Sequence, residues 1–221
     1  MKKRIAILYE DDQLIAFDKP TGLLVIPAPG KKSLTLTERV NRDHDDPRSR
    51  RLHPCHRLDR ETSGVILYAK GKRNQQVMMD AFREGRVSKE YRAVVKGCPR
   101  RLKGEIRARV KDVYQRRRRG AGRMAVTRYE VLDSCAGCSL VRAEPVTGRT
   151  NQIRIHFARM GHPLLGERVY AFRRYFTVDM KRLALHAHVL TFPYPGKTKR
   201  VVVRSDLPAD MVEFWDQIKN S

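Results

Sequence analysis

The chain has no run of apolar residues near the ~18 needed to cross a bilayer, so a helical membrane protein is excluded. The opening Met1-Lys2-Lys3-Arg4 resembles the start of a secretory signal, but Glu10, Asp11 and Asp12 cut short the apolar stretch behind it. A cytoplasmic protein with no membrane partner is expected. Cysteine is scarce too, and four in 221 residues do not make a disulfide framework. Cys135 and Cys138 form a C-x-x-C and His186 and His188 an H-x-H, yet the second ligand pair of a zinc ribbon is absent. Gly137 between two strand-like runs reads as a hairpin turn, and no metal is expected. A metal-dependent nuclease would want a set of clustered carboxylates, and the chain offers no obvious one.

Acid is what the chain lacks most. Only 24 Asp and Glu stand against 47 Lys and Arg, for a formal charge of +23. That excess attracts a polyanion, and nucleic acid is the leading partner. Residues 100–128 hold 12 of the cations against two acids, Glu105 and Asp112, so nearly half the net charge sits in one segment. Its densest part, Arg116, Arg117, Arg118 and Arg119 before Gly120-Ala121-Gly122, reads as a loop that lies along phosphates or as a solvated loop with no special target.

With 41% hydrophobic residues the chain can bury a substantial core, and it contains no repeat or long linker. Strand patterns are expected at 5–9, 14–17, 65–68, 91–95, 106–110, 125–132, 139–143, 183–192 and 200–203. Residues 74–86 place Val77, Met78, Ala81 and Phe82 at helical spacing, with Gly85 near the end. Residues 153–160 fit a strand or a helix; Gly161 and Pro163 favour a helix ending there. A closing helix over 208–219 would bury Met211, Val212, Phe214 and Trp215. Strands in a majority with helices laid on them make an α+β fold.

Two segments have the character of a site. His56-Arg57-Leu58-Asp59-Arg60-Glu61-Thr62-Ser63-Gly64 sets an acid between two arginines just before a buried strand, where chemistry is often mounted. Thr147-Gly148-Arg149-Thr150-Asn151-Gln152-Ile153-Arg154-Ile155-His156 crowds polar residues at the entry to an apolar element.

The run HRLDRETSGVILYAK resembles the catalytic-aspartate motif of the RluA-type pseudouridine synthases. KEYRAVVKG at 89–97 is similar to that family's tyrosine motif, TGRTNQIRIHFARMGHPLLGE at 147–167 to its arginine motif, and DKPTGLLVIP at 18–27 to its opening segment. Together with Ala125-Val126-Thr127-Arg128-Tyr129 these matches span nearly the whole chain in order, and the set is highly specific.

The resemblance implies a single catalytic domain over 1–221, without the N-terminal S4 domain of many relatives. The implied fold is a mixed, mainly antiparallel β-sheet core with flanking helices, in two lobes around a central catalytic cleft. The implied activity is isomerisation of uridine in ribosomal or transfer RNA by a monomer. That reaction breaks ribose C1′ from uracil N1 and rejoins C1′ to C5 with no redox change and no atoms added, so no cofactor is needed. It needs a carboxylate at the sugar, as nucleophile at C1′ or base at C2′, and Asp59 matches the catalytic residue.

By the same resemblance Arg154 pairs with the aspartate and keeps it ionised in a desolvated pocket. Tyr91 stacks on the uracil, and Arg57 fills the gap left by the everted base. Lys19, Arg60, Arg149 and the arginines at 116–119 are then expected to hold phosphates. His56, His156 and His162 are expected to make structural hydrogen bonds. Asn151 replaces the histidine usual before Gln-Ile-Arg, which keeps one side-chain donor and one acceptor. An intact Asp59 weighs against the alternative of a non-catalytic RNA-binding or ribosome-assembly protein on the same fold.

Overall fold

The computed structural model describes residues 4–28, 34–44, 51–111, 122–172 and 180–220. The chain divides into two compact units, Met1–Ser88 with Ala187–Asp206, and Lys89–His186 with Leu207–Ser221.

In the first unit β1 (Ile7–Glu10) runs antiparallel to β2 (Leu14–Lys19). Asp11 makes the turn between them, its Oδ1 accepting the Gln13 and Leu14 amides at 2.8 Å each. β2 pairs with β4 (Ser63–Lys70), which also pairs with the short β3 (Leu52–Pro54). β10 (Arg200–Arg204) pairs with β9 (Leu185–Pro193). Both faces of β4 are covered, so it reads as a continuous apolar run rather than an alternation.

On one face α2 (Lys72–Arg83) buries Met78 and Ala81 against Leu14, Ala16, Val65, Leu67 and Phe192. Val77, expected in that core, is 41% exposed because it sits one residue off the buried stripe. On the other face lies a helix the sequence patterns left unassigned, α1 (Leu36–Asp43). Its Thr37 hydroxyl meets the Tyr68 hydroxyl at 2.9 Å. Thr35 and Glu38 close a capping box at its start, the Thr35 amide donating to Glu38 Oε2 at 2.8 Å.

In the second unit β5 (Ser88–Lys96), β8 (Cys138–Pro145), β7 (Arg123–Cys135) and β6 (Lys103–Val110) pair antiparallel in that order. The turn between β7 and β8 is Ala136-Gly137, both at positive φ, 45° and 69°, as a tight primed hairpin turn requires. Cys135 and Cys138 are therefore the opposed flanks of a hairpin.

The ambiguous segment is helical: α3 (Gln152–Arg159) covers the sheet with Ile153 and Phe157 against Ala93, Val95, Val141 and Ala143. Gly161, at φ 84°, lets the His162 amide reach back to the Phe157 carbonyl at 3.0 Å and closes the helix end. α4 (Ala209–Lys219) buries Met211, Trp215 and Ile218 against Val94, Leu165 and Ala184. Val212 faces out, 39% exposed, and Ile218 takes the place expected for it. No helix among the described residues is long and apolar enough to cross a membrane.

Candidate active site

Asp59 sits half-buried in the loop between β3 and β4, and that loop is held at both ends. Upstream, His56 Nε2 accepts the Leu67 amide at 3.1 Å while its ring lies 4.7 Å from that of Phe82. Downstream, residues 19–23 clamp the backbone. Lys19 Nζ donates to the carbonyls of Pro20, Leu23 and Arg60 at 2.9, 2.8 and 3.0 Å. The Gly22 amide also reaches the Arg60 carbonyl (2.8 Å), and the Thr21 hydroxyl reaches that of Glu61 (2.8 Å). Leu58 and Thr62, on either side of the acid, are buried at 6% and 2% exposure. The carboxylate thus projects from a backbone whose position is fixed by non-local contacts.

Lys19 must be reassigned. It was expected at a phosphate, but it is fully buried and its ammonium is engaged by three main-chain carbonyls. Its role is to brace the Asp59 loop. At the start of β4, Gly64 has φ 108° and a Cβ there would stand 2.2 Å from the Ala187 carbonyl oxygen, so only glycine fits.

In the second unit the entry to α3 is built on Gln152. Its Nε2 donates to the Val126 carbonyl and to Thr127 Oγ1, each at 2.9 Å, and its Oε1 accepts from Thr147 Oγ1 at 2.6 Å and the Arg149 amide at 3.0 Å. One side chain ties the 147–151 loop to β7. Asn151 takes a left-handed conformation, φ 53°, to lead into the helix.

Arg154, 7% exposed, is held by Glu167, 2% exposed, in a two-pronged pair: Nε to Oε2 at 2.7 Å and Nη2 to Oε1 at 2.8 Å. Its Nη1 donates to Asn151 Oδ1 at 2.9 Å, and its guanidinium lies 5.2 Å from the centre of the Tyr170 ring. Asn151 Nδ2 donates to the Tyr170 hydroxyl at 3.0 Å, so the residue that replaces the usual histidine uses both its acceptor and its donor. Glu167 Oε1 further accepts the amides of Arg168 (2.9 Å), Val169 (2.8 Å) and Tyr170 (3.3 Å). Burial works to raise the Glu167 pKa, but Arg154 and the amides more than offset it and hold the carboxyl below its ordinary range.

Tyr91 lies on β5 opposite Ala143, half-buried, with its ring packed against the cluster of Ile153 and Phe157. Of the sequence-derived site residues, Asp59, Arg57 and Arg60 belong to the first unit and Tyr91, Arg149 and Arg154 to the second. Arg57, Arg60 and Arg149 are exposed, and Arg116 to Arg119 lie outside the described residues. The histidines behave as expected: His156 Nδ1 pairs with Thr127 Oγ1 at 3.0 Å and His162 Nδ1 with the Lys96 carbonyl at 2.8 Å.

Glu167 and Tyr170 are site residues that the sequence reasoning missed. Neither carried a local signal, because Glu167 lies 13 residues beyond Arg154 and meets it only through packing.

A mainly antiparallel α+β protein that carries an aspartate loop before a central strand and a buried arginine on a covering helix falls in the pseudouridine synthase class. Residues 13–159 match the family model described as RNA pseudouridylate synthase, and the chain belongs to that family. It is 34% identical to the dual-specificity RNA pseudouridine synthase RluA of Escherichia coli, over 93% of this chain and 94% of that one. It is 35% identical to the ribosomal large subunit pseudouridine synthase C of Vibrio cholerae, over 97% of this chain and 70% of the other. The solved human RNA pseudouridylate synthase domain containing 4 superposes with a TM-score of 0.81 at 26% identity, covering 97% of this chain and 93% of that one. The protein is an RNA pseudouridine synthase, an isomerase.

Proposed function

We propose that the enzyme isomerises specific uridines in structured ribosomal or transfer RNA, as a cytoplasmic monomer, with Asp59 as the catalytic carboxylate. The target nucleotide leaves the RNA stack and Arg57 fills its place, where a planar guanidinium recovers part of the lost stacking. Asp59 acts at the ribose while the uracil turns. Tyr91 stacks on the base with its hydroxyl toward the C5 proton that is finally released.

In this reading Arg154 keeps Asp59 ionised, since a carboxylate shut in with a nucleobase otherwise drifts toward neutrality. Arg60, Arg149 and the arginines at 116–119 hold phosphates, and the chain works as one catalytic domain. The names of the relatives, one dual-specific and one acting on the large ribosomal subunit, support this substrate class.

The observation that carries the reading is the double clamp on the Asp59 loop, which spends a buried lysine, a threonine and a histidine to fix one half-exposed carboxylate. The test uses total RNA labelled with [5-³H]uridine in cells that lack the protein, since isomerisation releases the C5 hydrogen to water. Asp59→Asn should release no tritium and bind RNA with nearly unchanged affinity. Full turnover by that variant would reject the assignment.

A further inference from the structure

Cations of the second unit commonly have an acid beside them. Lys103 and Arg142 share Glu130, Arg107 and Arg128 share Glu105, Arg92 holds Glu90, and Lys219 holds Asp133. Lys89 stands apart. It is half-buried, and among the described residues its ammonium has no hydrogen bond and no ion pair; burial alone pulls its pKa down.

Its position is informative. Side chains alternate along β5, so Lys89 shares a face with Tyr91, Ala93 and Val95, the face that α3 covers with Ile153 and Phe157. The neighbouring Glu90 points the other way and is engaged by Arg92. Lys89 Nζ reaches the turn before α3, where a Cβ on Gly148 would stand 3.7 Å from it and would meet no other heavy atom within 4 Å. The missing side chain at 148 leaves the ammonium open on that side.

A half-buried ammonium without a partner weakens the free protein, and such a cost persists where a ligand supplies the missing charge. A uracil carbonyl is neutral and offsets little of it. The charge match in RNA is the phosphodiester. We propose that Lys89 binds a backbone phosphate next to the uridine being modified, as a positioning residue for the reaction. The assignment rests on the function proposed above.

The experiment compares the full chain with Lys89→Met and Lys89→Arg on the tritium-labelled RNA, measuring kcat/KM across a potassium chloride series and thermal unfolding of each protein. Lys89→Met should lose about tenfold or more in kcat/KM, as for one charge-assisted hydrogen bond. Its plot of log kcat/KM against log salt should flatten by about 0.7–0.9, the share of one phosphate contact. It should also melt at or above the wild-type temperature, while Lys89→Arg keeps the wild-type slope. An unchanged slope in Lys89→Met overturns the proposal, and so does a lowered melting temperature or failure to fold, because either marks a structural lysine. A wild-type protein that releases no tritium removes the uridine reading itself, and this assignment with it.

Discussion

Replacing Glu167 by Ala would leave the Arg154 guanidinium, 7% exposed, without the carboxylate that takes two of its donors. Three amides, those of Arg168, Val169 and Tyr170, would lose their acceptor at the same time. Breaking a buried ion pair from one side costs about 3–5 kcal/mol, because the remaining charge stays desolvated. In a chain of this size each kcal/mol moves the melting temperature by roughly 2–4 °C, so a fall of roughly 6–20 °C is expected. Replacing Glu167 and Arg154 together by Met should cost less than the single Glu167→Met and Arg154→Met changes added together, and urea titration of wild type and these three variants measures that coupling.

The pH dependence has a definite sign. The folded Glu167 carboxyl has a pKa below its unfolded value, so its contribution is fully present above the unfolded pKa and is lost as pH falls through the folded one. The stability gap between wild type and Glu167→Gln should therefore close below the ordinary carboxylate range. Additive single changes, or a gap that stays constant down to strong acid, would refute the reasoning.

Two further outcomes can be checked directly. Lys19→Met should destabilise the first unit by about 1–3 kcal/mol per carbonyl left without a donor and cut kcat by loosening the Asp59 loop; urea unfolding and tritium release measure both, and a variant as stable and active as wild type would contradict the bracing role. Neutralising Arg116 to Arg119 should weaken RNA binding and flatten its salt dependence in filter-binding titrations; an unchanged salt slope would show that the segment does not touch phosphate.

Much of the fold could be read from local pattern, and the misses share a cause. The helix at 152–159 was decided by its end, because Gly161 could only serve as the left-handed cap it is. α1 escaped notice because it is short and polar, with Leu36 and Val40 as its buried residues; the capping box at Thr35 and Glu38 was its one sequence signal. Val77 and Val212 were placed in the core because apolar character was counted without angle, and each falls beside the buried stripe of its helix. Motif register singled out Asp59, Tyr91 and Arg154. It did not reveal Glu167, 13 residues beyond Arg154, or the carbonyl of Arg60, 41 residues beyond Lys19. Partners at that separation belong to packing, and no local period encodes them.

The two motif lysines then carry the most general lesson. Lys19 and Lys89 both stand in family motifs, both lose water on folding, and sequence alone treats them alike. Lys19 meets three carbonyls from its own unit, so its needs are met within the protein and removing it costs structure. Lys89 meets no acid or carbonyl among the described residues, so the folded chain holds it at a loss that an outside anion would reverse. Arg154 lies between these cases: Glu167 and Asn151 take three of its donors and set the direction of its guanidinium within the free protein. What separates a bracing cation from a binding one is thus whether the protein alone completes its hydrogen bonds, and that can be judged only once the fold has brought distant carbonyls and carboxylates together.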